Sequence, residues 1–328
     1  MKAITHTEYG GPTVLAVTTV DEPTPGDGEV LIDIHATSLN KGDCHLMRGK
    51  PVFIRLLYGG LLRPSDPVLG MDIAGTVQAV GTDVTAFRPG EEVIGNVSEC
   101  GNGGFAEYVC TPAETLVSKP SDVSFVDAAA IPTAAVSALQ GLRDVGEIQS
   151  GDDVLIHGAS GGVGTFAVQL ARARGATVTG VCSAEKVDLV ESLGTDRVIN
   201  YEEADVTADG ERYDLILDTA AAHPLRAYRR ILKPGGRYVM VGGPARRFLK
   251  TAMLGPLASR IGSRAYGTFE MAPDVDDMSV LADHLADGTV TPAIDRTFPL
   301  SETAAAIRYL ENGRARGNVV VTPGGDAA

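Results

Sequence analysis

The sequence predicts an α/β protein of two domains, one β-rich and one built on a doubly wound parallel sheet. Three observations carry that expectation. The chain has 328 residues, more than one ordinary hydrophobic core accommodates. Its first third runs in short segments broken by Gly, Pro and Asp, while its middle third alternates buried strands with helical stretches. A glycine-rich turn, Gly158-Ala159-Ser160-Gly161-Gly162-Val163-Gly164, joins a strand to a helix at the start of that alternation.

Taken in order, Glu29 to Ala36 sets Val30, Ile32, Ile34 and Ala36 on one face at period two, the pattern of a half-buried strand. Gly75 to Gly81 and Glu92 to Val97 read the same way, each bounded by turn residues. Val154 to His157 is a short buried strand; a helical stretch from Gly162 to Arg174 and a strand from Thr177 to Val181 follow. A helix through Ala184 to Leu193 precedes strands at Arg197–Ile199, Tyr213–Asp218 and Arg237–Val241, which complete the parallel set. Helices near 276–287 and 302–312 and a strand at Asn318–Val321 close the chain. There is no internal repeat.

Composition narrows the function. Acids outnumber bases 42 to 28, a net charge of −14 that repels nucleic-acid phosphates and argues against a general nucleic-acid-binding role. Arg outnumbers Lys 21 to 7, a bias that suits a salt-rich cytoplasm and that high-GC codon usage also produces. Four cysteines with no CxxC pair make neither a disulfide framework nor a zinc ribbon. Met1-Lys2-Ala3-Ile4-Thr5-His6 lacks the apolar core of a signal peptide, and the most apolar run, Ala128 to Leu139, is interrupted by Pro132. The expectation is a soluble cytoplasmic protein.

The glycine-rich turn has the strand–turn–helix context of a dinucleotide site, where backbone amides approach a pyrophosphate at the helix N-terminus. Ala159 stands at the first glycine of the usual GxGxxG, and Gly161 and Gly164 fill the other two places. An NAD site would carry an acid at the end of the second strand. That strand ends Val181-Cys182-Ser183-Ala184-Glu185-Lys186, with no acid at its tip. Ser183 and Lys186 suit a 2′-phosphate, so NADPH is the expected cofactor, with an ordinary surface lysine as the alternative reading of Lys186.

Further segments carry a family resemblance. They are Ser38-Leu39-Asn40-Lys41-Gly42-Asp43, Val68 to Gly75, Phe87 to Val93, the Ala159–Gly164 loop and Val198-Ile199-Asn200-Tyr201. Almost the whole chain resembles the zinc-independent quinone oxidoreductase (zeta-crystallin-like) branch of the medium-chain dehydrogenase/reductase superfamily. The resemblance implies a GroES-like catalytic domain over 1–124 and 272–328, and a Rossmann NADP(H)-binding domain over 125–271. It also implies a homodimer with its active site in the interdomain cleft. Residue by residue, it puts Asn40 near the nicotinamide ribose, and Ser160, Gly161, Gly162 and Val163 on the pyrophosphate loop. Ser183, Lys186 and Tyr201 fall at the 2′-phosphate, Gly242 and Gly243 near the nicotinamide, and Asn318 at the closure of the cofactor site. His45 stands where many such reductases carry a tyrosine.

Zinc-dependent relatives carry a Cys where Asn40 stands and a His-Glu pair where Met71-Asp72 stands. An amide and a thioether do not replace thiolate and imidazole on catalytic zinc, and Cys44-His45 is four residues out of register. No metal is expected. Without a Lewis acid, ordinary alcohol oxidation is disfavoured, and hydride transfer from NADPH to a small hydrophobic electrophile, a quinone or an enone, is the favoured chemistry. An ordinary histidine titrates near ~6.5 and suits proton transfer near neutral pH, so His45, a tyrosine and water are the candidate proton donors. The alternative is a His45 that fills a wall or bonds Asp43. Three functions compete: a quinone reductase; an alkenal, enone or enoyl-thioester reductase; and a non-catalytic NADPH-binding sensor or assembly protein.

One asymmetry stands outside the resemblance. From Thr219 to Phe269 there is no Asp or Glu, yet there are eight Arg and two Lys. Arg246-Arg247-Phe248-Leu249-Lys250 leads into Met253, Leu254, Leu257, Ile261 and Arg264, basic and apolar together. This segment, with Phe53, Leu56, Leu57 and Tyr58, is the expected acceptor entrance. Such character also permits transient docking on an anionic membrane. A cover whose arginines pair with acids elsewhere is the alternative.

Overall fold

The computed structural model describes residues 1–57, 60–260 and 262–324. The chain forms two compact units. One comprises Met1–Ala134, Pro273–Gly288 and the chain from Ile294 onward; the other comprises Ala135–Ala272 and Thr289–Ala293. Residues 125–134, grouped with the second domain in the sequence reading, therefore sit with the first unit.

The first unit is built on strands β1 (Lys2–Thr5), β2 (Ala16–Thr19), β3 (Glu29–Leu39), β4 (Asp72–Val80), β5 (Glu92–Asn96), β6 (Tyr108–Pro112) and β7 (Leu116–Ser118). The second carries β8 (Asp153–His157), β9 (Thr177–Cys182), β10 (Arg197–Asn200), β11 (Tyr213–Asp218), β12 (Leu232–Met240) and β13 (Ala265–Thr268). The chain then returns to the first unit with β14 (Ile294–Pro299) and β15 (Asn318–Thr322).

In the first unit, the period-two residues Val30, Ile32 and Ile34 of β3 pack with Ile73, Val77 and Val93 as one buried core. β3 is the hub of a seven-stranded sheet, pairing antiparallel with β4, β6 and β15. Helix Lys41–Arg48 leaves directly from its end. Its apolar face buries Cys44 and Met47 against Phe105 and Ile307, which anchors that helix beside the sheet.

The second unit is a six-stranded parallel sheet in the order β10-β9-β8-β11-β12-β13. The chain winds outward from β8 through β9 to β10, then restarts on the opposite side of β8. Strand order thus reverses between β8 and β11, and such switch points leave a crevice at the strands' carboxyl ends. Leu155, Ile216, Tyr228 and Met240 fill the core. β13 was not expected: only Tyr266 of its four residues is buried, and an edge strand with one apolar anchor has no alternating pattern to read. The helix expected from Ala184 to Leu193 opens instead as a 3₁₀ turn, Ala184–Lys186, and becomes α-helical at Val187–Ser192. No described helix is long and apolar enough to cross a membrane.

Candidate functional site

At the switch point, three turns meet. After β8, Gly158 adopts φ +88°, and a Cβ there would stand 2.3 Å from Thr219 Oγ1. The glycine that the tight turn requires is therefore Gly158, one residue before the fingerprint position held by Ala159, which is fully buried. Gly161 precedes helix Gly162–Ala173, and its Cβ position is open, the nearest atom being Gly158 O at 3.6 Å. Gly164 is the opposite case: a Cβ would lie 2.1 Å from Gly158 O, so helix and strand pack there with no room for a side chain. No acid occupies the first turn of this helix, whose unpaired amides form a positive N-terminus. This cradle fits a dinucleotide pyrophosphate.

The neighbouring loops complete the group. Ser183 and Lys186 are both buried, joined by Lys186 N–H donating to Ser183 O at 3.0 Å, whereas Glu185 is exposed. Lys186 is thus not exposed in the way an ordinary surface lysine is. Tyr201, with its ring largely exposed, is tied by its N–H to Cys182 O at 3.0 Å. Gly242 and Gly243 follow β12; a Cβ on Gly242 would meet Thr219 O at 2.9 Å, and Gly243 takes φ +116° against Ala221. The expected residues of this unit thus gather on loops following β8, β9, β10 and β12.

The turn after β11 is the component that sequence reasoning missed. Asp218 is fully buried; Oδ1 accepts from Ala220 and Ala221 N–H at 3.1 and 2.7 Å, and Oδ2 accepts from Tyr238 Oη at 2.8 Å. Thr219 Oγ1 donates to His157 O at 3.0 Å, tying this turn to the glycine loop. Below them, the Tyr228 hydroxyl shares a 2.7 Å hydrogen bond with His157 Nδ1. Burial raises both tyrosines and lowers His157, so this layer is an uncharged support. An Asp-Thr pair closing an apolar strand at the switch point was the available signal.

In the β-rich unit, Asn40 leads helix Lys41–Arg48, and its N–H donates to Asp43 Oδ2 at 2.8 Å. Its Nδ2 donates to Asp72 Oδ2 at 2.8 Å, while Asp72 Oδ1 accepts from Thr133 Oγ1 at 2.6 Å and Asn96 Nδ2 at 3.1 Å. Burial pushes the Asp72 carboxyl up to about 7, against the pull of those donors. Burial likewise pushes Asp43 up to about 8, with the Asp72 charge adding to the rise. Asn318 is buried at the start of β15, next to Val319, which pairs with Leu39 at the end of β3. His45 is exposed, and its Nδ1–H donates to Lys50 O at 3.1 Å, not to Asp43. The bond to Asp43 is thereby corrected: Asp43 Oδ2 accepts from Asn40.

The same cluster tests for zinc. Asn40 is committed to Asp72, the Met71 thioether lies over Gly42, and Asp72 already accepts three hydrogen bonds. Cys44 is buried, its thiol pushed up to about 12 by burial. This donor set does not fit a zinc ion.

Residues 26–121 match the family model of the alcohol dehydrogenase GroES-like domain, and residues 193–321 that of the zinc-binding dehydrogenases. Quinone-oxidoreductase QR1 of Triphysaria versicolor is 32% identical over 98% of both chains. The chain belongs to the quinone oxidoreductase-like branch of the medium-chain dehydrogenase/reductase superfamily. An NADPH-dependent alkenal/one oxidoreductase of Arabidopsis thaliana is 31% identical over 98% of this chain and 80% of its own. The solved quinone oxidoreductase from Coxiella burnetii superposes with a TM-score of 0.88 at 32% identity, over 98% of this chain and 99% of that one. As a member of this branch, the chain is an oxidoreductase that uses a nicotinamide cofactor on a GroES-like and Rossmann framework, and the non-catalytic reading falls away.

Proposed function

We propose that this oxidoreductase is zinc-independent, prefers NADPH and reduces a quinone-like acceptor. The observation that carries the cofactor preference is the buried Lys186 beside Ser183, with the adjacent acid, Glu185, in solvent. An ammonium and a hydroxyl complement a 2′-phosphate; a carboxylate would complement a ribose 2′-hydroxyl instead. When bound, the cofactor supplies hydride from its nicotinamide ring. Gly161, Gly162 and Val163 offer amides to the pyrophosphate beside Ser160, and Tyr201 flanks the 2′-phosphate. Gly242 and Gly243, whose turn packs closely on Thr219 and Ala221, are assigned to the nicotinamide end. Asn40, its amide oriented by Asp72, is assigned with Asn318 to the ribose side. With Nδ1–H donating to Lys50 O, Nε2 is the ring nitrogen left for the acceptor, and it is assigned to hand its proton, when it carries one, to the oxygen of the reduced product. Unchanged kcat in His45→Phe would select water as the donor instead.

The acceptor class is supported by the relatives named as quinone oxidoreductases; the alkenal/one oxidoreductase supports an enone acceptor as the second reading. Free cysteines fit a reducing, cytoplasmic setting, and a homodimer is the assembly that the family resemblance implies. The test is NADPH and NADH oxidation against a panel of quinones, enones and enoyl thioesters, with and without a chelator. Turnover should survive chelation. Lys186→Ala should weaken NADPH binding about tenfold or more and spare NADH, since a charge-assisted contact is worth roughly 1.5–3 kcal/mol. Equal loss for both cofactors refutes the assignment.

A further inference from the structure

Seven of the ten cations in the acid-free window from Thr219 to Phe269 fall into two sets. Lys233 pairs with Asp153 and Asp214 at 2.6 and 2.7 Å, Arg237 pairs with Glu147, and Arg264 donates to Leu232 O. These serve the fold. Arg226, Arg246, Arg247 and Lys250 instead line one cavity of about 620 Å³, a size that accommodates an organic molecule. Among the described residues, Arg226, Arg246 and Lys250 have no carboxylate partner; Arg247 is held in place by donating to Ala221 O at 2.5 Å. The remaining wall is largely apolar, with Leu225, Met240 and Leu254 in it. His223 also lines the cavity, and the nearest acid to that ring is Asp205 at 3.7 Å. Along helix Ala245–Arg260, exposed Met253 and Leu257 continue the stripe begun by Arg246 and Lys250.

We propose that this cavity is a second anion site, which binds an amphipathic ligand by a carboxylate, sulfonate or phosphate head on the cations and an apolar body on the wall. It is separate from the 2′-phosphate position. The cavity shares no lining residue with the glycine cradle or with Ser183, Lys186 and Tyr201. It belongs to the β11–β12 side of the sheet, and β12 is three strand spacings, roughly 14 Å, from β9. The inference rests on this geometry and not on the acceptor proposed above. The earlier expectation is narrowed accordingly: the basic segment joins Arg226 and His223. Of the other expected entrance residues, Phe53 and Leu56 are exposed on a helix of the first unit, while Tyr58, Ile261 and the Leu57 side chain lie outside the described residues.

The test is fluorescence titration of the full chain with 1-anilinonaphthalene-8-sulfonate. Replacing Arg226, Arg246 and Lys250 together by serine should weaken binding about tenfold or more, whereas the charge-keeping Arg226→Lys, Arg246→Lys, Lys250→Arg variant should stay near the parent. All three side chains are exposed, and a shared thermal midpoint verifies folding. Decanoate and decyl sulfate should displace the probe and 1-decanol should not. Lys186→Ala should leave probe affinity unaltered, because the two sites are distinct. Equal probe affinity in parent and serine variant overturns the proposal, as does displacement by decanol as effective as by decanoate. Binding seen only on phosphatidylglycerol vesicles, and not with the free probe, also overturns it and assigns the cations to a membrane surface.

Discussion

Asp43 and Asp72 show how a single side chain's protonation is set by its surroundings. Both are fully buried and both titrate above an exposed aspartate's ~3.9, because burial penalises the charged form. The folded chain therefore retains protons that the unfolded chain has released. The contribution of these groups is greatest at acidic pH and declines as pH rises from about 4 to about 8, by at most about 1.4 kcal/mol per pH unit for each group. Asp43→Asn keeps an acceptor for the Asn40 N–H and removes one titration. Its thermal midpoint should fall less steeply between about pH 5 and 8 than that of the parent. Parallel slopes would mean that Asp43 is already ionised in the fold. The residues themselves were visible in the sequence around Asn40; their burial together was not, because Asp72, Asn96 and Thr133 arrive from three separate segments.

Elements were legible where the pattern has one physical cause. The period-two run of β3 and the strand–turn–helix at the glycine loop each follow from local side-chain spacing, and both formed as expected. β13 was missed because an edge strand needs no apolar alternation. Two substitutions separate the glycine that packing requires from the one proposed to face the cofactor. Gly164→Ala puts a methyl 2.1 Å from Gly158 O and 2.9 Å from Ala159 Cα, backbone that does not yield easily; it should cost about 1–3 kcal/mol in stability. Gly161→Ala meets nothing nearer than 3.6 Å at φ −89° and should leave stability within about 0.5 kcal/mol. It should nevertheless weaken NADPH binding, because the methyl enters the cradle. Urea unfolding and cofactor titration on both variants decide it. Matching losses of stability would remove Gly161 from the site.

Charge is segregated across the whole molecule. The window from Thr219 to Phe269 holds ten of the 28 bases and none of the 42 acids, so the remaining residues carry 18 bases against those 42, a balance of −24. Self-repulsion on that scale lowers stability at low ionic strength and is screened as salt is added. The thermal midpoint should therefore rise as salt is raised from about 10 to 500 mM, across a Debye length that falls from ~30 Å to a few Å. A midpoint that is flat or falls would show that local ion pairs outweigh the long-range field. By itself, the sequence determined the two-domain α/β class and the glycine-rich strand–turn–helix, since these depend on local spacing and on backbone room. Tertiary structure alone decided that Gly158 is the turn glycine, that Asp218 and Thr219 lock the switch point, and that four of the ten cations share one cavity. Those facts depend on which strand lies beside which, and β8 and β11, adjacent in the sheet, are separated in the chain by two strands and their helices.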